Sequence, residues 1–63
     1  MEKAREKFLR AYPEVPEELR KNIIVVINDK SYTWDTAYFE VKNNPKSELS
    51  GKILKTLLII GII

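Results

Sequence analysis

The side chains that could do chemistry in this chain are few, and their types limit what that chemistry could be. The 63 residues include no His and no Cys, so imidazole bases, thiolate nucleophiles, disulfides and the usual zinc ligand sets are out of reach. General acid–base work would fall to carboxylates, lysines or tyrosines, and a bound metal would need an all-oxygen site. Asp29, Asp35, Glu40 and Glu48 stand at expected turns and helix starts, which favour acidic side chains for structural reasons alone. A catalytic carboxylate pair needs a sheltered setting that drives its pKa values apart, and this spacing supplies none. The expectation is a non-enzymatic protein with no cofactor and no metal.

Two further patterns invite a chemical reading. The segment Ser47 to Ile53, SELSGKI, sets Gly51 beside Lys52 near a helix start. A phosphate-binding loop, however, requires Gly where this chain has Lys46 and Ser or Thr where it has Ile53. Close packing of Gly51 against a neighbouring element is then the expected reason for a residue that costs about 1 kcal/mol of helix propensity relative to Ala. Tyr32, Trp34, Tyr38 and Phe39 place four of the six aromatics within eight residues, flanked by Lys30 and Lys42. Such rings can stack on single-stranded bases, but at helical spacing beside a hairpin they are foremost core residues, each burying about 150–250 Å².

Charge does not favour nucleic acid. Eleven basic against nine acidic residues leave a net charge of +2, too little for the phosphate attraction such binding draws on. Residues 1–31 hold seven basic and six acidic side chains and residues 32–63 hold four and three, so neither half is a basic arm or an acidic tail. Met1 to Arg10, MEKAREKFLR, is charged where a signal peptide needs an apolar stretch, which points to a cytoplasmic protein. The absence of Gln, His and Cys beside many Glu, Lys and Ile matches the composition of hyperthermophile proteins, and an AT-rich genome would also favour Lys, Ile and Asn.

The elements follow from periodicity and caps. Residues 2–12 place Ala4, Phe8, Ala11 and Tyr12 on one helical face, with Glu6 and Arg10 four apart on another, and Pro13 ends the helix. Pro16, Glu17 and Glu18 start a second short helical segment, with Leu19 pointing inward, that runs to Lys21 or Asn22. Ile23 to Ile27, five consecutive β-branched residues, read as a strand buried on both faces. Asn28 and Asp29 supply a hairpin turn to a strand ending near Thr33. Thr33 then caps a helix from Trp34 to Asn43, with Trp34, Ala37, Tyr38 and Val41 on its inner face; strand propensity is the competing reading of this segment. Ser47 caps a last helix that stops near Gly61, with Ile62 folding back; LLIIGII could instead be a strand. The fold class is α+β: one small domain over residues 1–63, with two N-terminal helical segments, a short β-hairpin and two C-terminal helices.

From Ile23 onward the order strand, helix, helix is similar to that of the ribbon-helix-helix family of dimeric DNA-binding regulators. The resemblance covers element order and approximate lengths. It implies a strand that pairs across a dimer and reads bases in the major groove. Because IIVVI carries no polar base-reading side chain, no residue role transfers. The nucleic-acid alternative would use Lys42, Lys46, Lys52 and Lys55 as phosphate contacts.

The C-terminal tail points to assembly. From Thr56 to Ile63 only Thr56 and Gly61 are not large aliphatics, yet eight helical residues span about 12 Å against a hydrocarbon core of about 30 Å. No transmembrane segment is expected, and with its last charge at Lys55 the tail lacks the basic face of an interfacial anchor. A chain this small buries only about 60% of its unfolded surface, and two aliphatic runs compete for that shelter. The sequence therefore predicts a small interaction or scaffold module acting as a homodimer, with Ile23, Val25, Ile27, Leu57, Leu58, Ile60 and Ile62 at the interface.

Overall fold

The computed structural model describes residues 2–63. It is an α+β fold in which three helices flank one antiparallel hairpin: α1 Glu2–Ala11, β1 Ile23–Ile27, β2 Lys30–Thr33, α2 Trp34–Asn43 and α3 Glu48–Ile60. No described helix is long and apolar enough to cross a membrane.

Ala4 and Phe8 bury the inner face of α1. The helix ends at Ala11, but the chain does not straighten at Pro13. It tightens into a 3-10 turn over Tyr12–Glu14, closed by the Val15 N–H donating to the Tyr12 carbonyl at 3.0 Å. Proline fits there because its missing N–H falls where a helical turn has no partner to offer. The second helical segment is shorter than its sequence suggests, a 3-10 turn at Leu19–Lys21. Leu19, expected inward, is 48% exposed: a single three-residue turn is too short to form a continuous inward face.

The strand β1 departs from the two-sided burial that five β-branched residues suggest. Val25 and Ile27 are buried and Ile24 packs against the core, while Ile23 and Val26 are about 60% exposed. Register explains the pattern. Ile23 pairs with Thr33 and Val25 with Tyr32, so Ile24 is an extra residue in the ladder. A bulge of this kind turns two neighbouring side chains to the same side, and the hairpin, with helices on one face only, leaves the other face in water. Asn28 (φ 52°) and Asp29 (φ 65°) form the two-residue turn, both in the left-handed region that type I′ hairpins require and Asx residues tolerate.

Two caps fix where α2 and α3 begin. The Thr36 N–H donates to Thr33 Oγ1 at 3.1 Å and the Thr33 N–H to Thr36 Oγ1 at 2.7 Å, a reciprocal capping box that selects helix over strand for Trp34–Asn43. The Ser50 N–H donates to Ser47 Oγ at 3.0 Å. The fully buried Ser50 hydroxyl then donates to the Asn44 carbonyl at 2.7 Å, with the Glu40 carbonyl 3.1 Å away, tying α3 to the last turn of α2. Glu40 closes the same junction by accepting from Ser47 Oγ at 2.7 Å and Asn44 Nδ2 at 3.2 Å. Gly51 has no close neighbour: a Cβ built on it meets nothing within 4 Å. Close packing is therefore not why glycine stands there, and no other contact accounts for it.

The core joins all these elements: Ala4, Phe8, Val25, Ile27, Ala37, Val41, Ile53, Leu54 and Leu57. The accessible surface of 4458 Å² lies close to the roughly 4200 Å² that folded monomers of this mass expose. One copy thus closes its own core, and any case for a second copy must rest on what remains outside.

Candidate functional site

The feature left outside lies at the end of α3. Successive helical residues turn by about 100°, so Glu48, Lys52, Lys55 and Ile59 fall along one line, opposite the buried Ser50, Ile53, Leu54 and Leu57. Over the first turns that outer line is charged, and Lys52 Nζ lies 3.9 Å from Glu48 Oε1, the one ion pair among the described residues. In the last turn the same line becomes aliphatic at Ile59, which is 74% exposed, with Leu58 and Ile60 exposed on either side. The helix is apolar around its whole circumference there, while the protein covers only one flank.

The stop is local and well defined. Gly61 adopts φ 84°, its N–H donates to the Leu58 carbonyl at 3.2 Å, and the Ile62 N–H donates to the Leu57 carbonyl at 3.0 Å. This pair of bonds is the left-handed helix cap that glycine makes without strain. The backbone folds back as the sequence suggests, but Ile63 packs against the core while Ile62 stays exposed.

The seven residues expected at an interface therefore divide. Val25, Ile27 and Leu57 are buried inside the chain's own core, whereas Ile23, Leu58, Ile60 and Ile62 are exposed. Ile59 carries the largest exposure of any large aliphatic, and the sequence alone does not mark it, because position on a helical face cannot be judged until the buried side is known. Ile23 lies on the outer face of the hairpin, beside Thr33, and not on the α3 line.

The aromatic residues form a separate cluster. Phe8 stacks on Trp34 with centroids 5.7 Å apart, and Tyr12 stacks on Tyr38 at 3.9 Å. Arg20 lies over the outer face of Tyr12 at 4.6 Å and Lys42 lies 5.5 Å from the Tyr38 ring. The Tyr12 hydroxyl donates to Asp35 Oδ1. That bond, with desolvation and the Asp35 charge behind it and Arg20 opposing, holds the Tyr12 phenol above its ordinary pKa. Trp34 and Tyr38 thus each give a ring face to a partner within the chain, and Phe39, 65% exposed, stacks on none. Of the four lysines proposed as phosphate contacts, Lys42 engages Tyr38 and Lys52 pairs with Glu48; Lys46 and Lys55 are exposed.

The described residues form no pocket, and no three of their carboxylates gather where a cation could be held. No protein-family model, curated protein or solved structure matches this chain. From Ile23 the order is β1, β2, α2, α3, with a second strand between the first strand and the helices, and β1 pairs with β2 of the same chain, unlike the ribbon-helix-helix strand that pairs across a dimer.

Proposed function

We propose that this protein is a non-enzymatic interaction module that works as a homodimer, joined through the aliphatic end of α3. The observation that carries the reading is the change of the outer α3 line from Glu48, Lys52 and Lys55 to Ile59, with Leu58, Ile60 and Ile62 exposed around it. Burying one such side chain is worth about 1.5–3 kcal/mol, so a partner surface gains from covering several together.

A second copy is the occupant favoured by the charges. Residues 56–63 carry no charged side chain, so two such segments can meet about a two-fold axis without opposing charged side chains at the centre, and Lys52 and Lys55 remain at a polar rim. An interface of standard size takes about 800 Å² from each partner, roughly a fifth of the 4458 Å² surface, with the α3 end at its centre. Light scattering at tens of micromolar tests this. A dimer that becomes a monomer on removal of residues 59–63 is expected, and a folded monomer unaffected by that removal contradicts it.

The competing assignment, a small nucleic-acid-binding regulator using Lys42, Lys46, Lys52 and Lys55, makes a different prediction. Its affinity for duplex or single strands would fall steeply with added salt. The interaction module binds neither, even at low salt.

A further inference from the structure

The connection between α1 and β1 differs from the rest of the molecule. From Tyr12 to Asn22 no residue is buried. Its backbone bonds close on themselves, Val15 to Tyr12, Leu19 to Pro16 and Asn22 to Leu19. The Arg20 guanidinium likewise turns inward on the segment, Nε donating to the Val15 carbonyl at 3.0 Å and Nη2 to that of Pro13 at 3.4 Å. Of its side-chain hydrogen bonds, only Tyr12 to Asp35 reaches the body. Both ends are nevertheless anchored independently, by Ala4 and Phe8 before it and by Val25 and Ile27 after it.

We propose that residues 12–22 form a strap that opens as one unit while α1, the hairpin, α2 and α3 stay packed, with the Arg20–Tyr12–Tyr38 column as its clasp. The strap's backbone bonds are single-turn bonds that do not hold by themselves once the clasp is released, and it has few apolar contacts to lose, the profile of a segment that unfolds below the global unfolding free energy. The clasp makes it cooperative: Arg20 ties Tyr12 to the carbonyls of Pro13 and Val15, so withdrawing the Tyr12 ring moves the whole segment. Opening uncovers the face of Tyr38 now covered by Tyr12, beside Lys42 and Asp35.

Native-state hydrogen exchange on the full chain tests the strap, because a substitution accelerates exchange only through openings that break the interaction it removes. The amides of Val15, Leu19, Arg20 and Asn22 are expected to share one protection level, lower than that of Ile53 and Leu57. Ile53→Val should speed exchange of the Ile53 and Leu57 amides about two- to tenfold and leave the strap amides unchanged. Arg20→Ala, which loses the cation–π contact and the bonds to the Val15 and Pro13 carbonyls, should speed the four strap amides together by at least about two- to fivefold. Equal acceleration of strap and core amides by Ile53→Val overturns the proposal, since the strap would then open only with the whole fold. Acceleration of one or two strap amides by Arg20→Ala, with the others unmoved, overturns it as well.

Discussion

Two aliphatic runs, Ile23–Ile27 and Leu57–Ile63, have nearly the same composition and different fates. In β1 a bulge turns Ile24 and Val25 together toward the core, and the residues left outside, Ile23 and Val26, are separated and face the small hydroxyl residues Thr33 and Ser31 across the hairpin. At the end of α3 no such device operates. Leu58, Ile59 and Ile60 follow one another around a helical turn that the body covers on one flank. The difference lies in the number of covering layers and in whether the exposed residues are scattered or contiguous; scattered aliphatics are ordinary surface, whereas contiguous ones mark a contact.

The sharpest way to break this comparison sets a buried residue of the second run against an open one of the first. Leu57→Ala empties a fully buried site and should cost about 2–5 kcal/mol of stability in denaturant titration, whereas Val26→Thr, on the open face of β1, should stay within about 0.5 kcal/mol. Ser50→Ala comes next. It leaves the Asn44 and Glu40 carbonyls without the buried hydroxyl and should cost about 1–3 kcal/mol, loosening the α2–α3 junction without touching the aliphatic end. Gly51→Ala should act in the opposite direction, raising stability by about 0.5–1 kcal/mol, because the added methyl has open space and restricts the unfolded chain. A thermal melt lower than that of the parent would contradict it.

The smallest effect lies away from both runs. The folded Tyr12 phenol holds its proton more tightly than the unfolded one. Its contribution to stability is therefore complete below the unfolded pKa, near 10, and is lost as pH rises through the higher folded value. Ultraviolet titration should show a tyrosine step above the ordinary phenol range. In Tyr12→Phe that late step should vanish, along with this part of the alkaline loss of stability.

What the sequence made legible was local. Thr33 and Ser47 cap within three residues of themselves, Asn28 and Asp29 turn the chain without help, and Gly61 ends α3 through bonds to its own last turn. These features set the element order and the α+β class. What it hid depends on distant partners. Tyr12 and Asp35 are 23 positions apart, and no periodicity joins them. The IIVVI run is compatible with a strand covered on one face or two, and only the bulge at Ile24 decides which side chains turn inward. Ser50 looks like an ordinary helix residue until α2 lies across it. The aliphatic tail was readable as a surplus, but its centre at Ile59 became visible only when the buried side of α3 was known.

Sedimentation velocity on the parent chain and on Ile59→Lys tests the central claim most directly. Lys is a better helix former than Ile and suits the negative end of the helix dipole, so the substitution should leave the monomer folded while placing a charge in the middle of the contact. The account predicts a parent particle of twice the 7.4 kDa chain mass at tens of micromolar and a folded Ile59→Lys protein at the chain mass. A parent that sediments as a folded monomer, or an Ile59→Lys protein that remains a dimer, would contradict it.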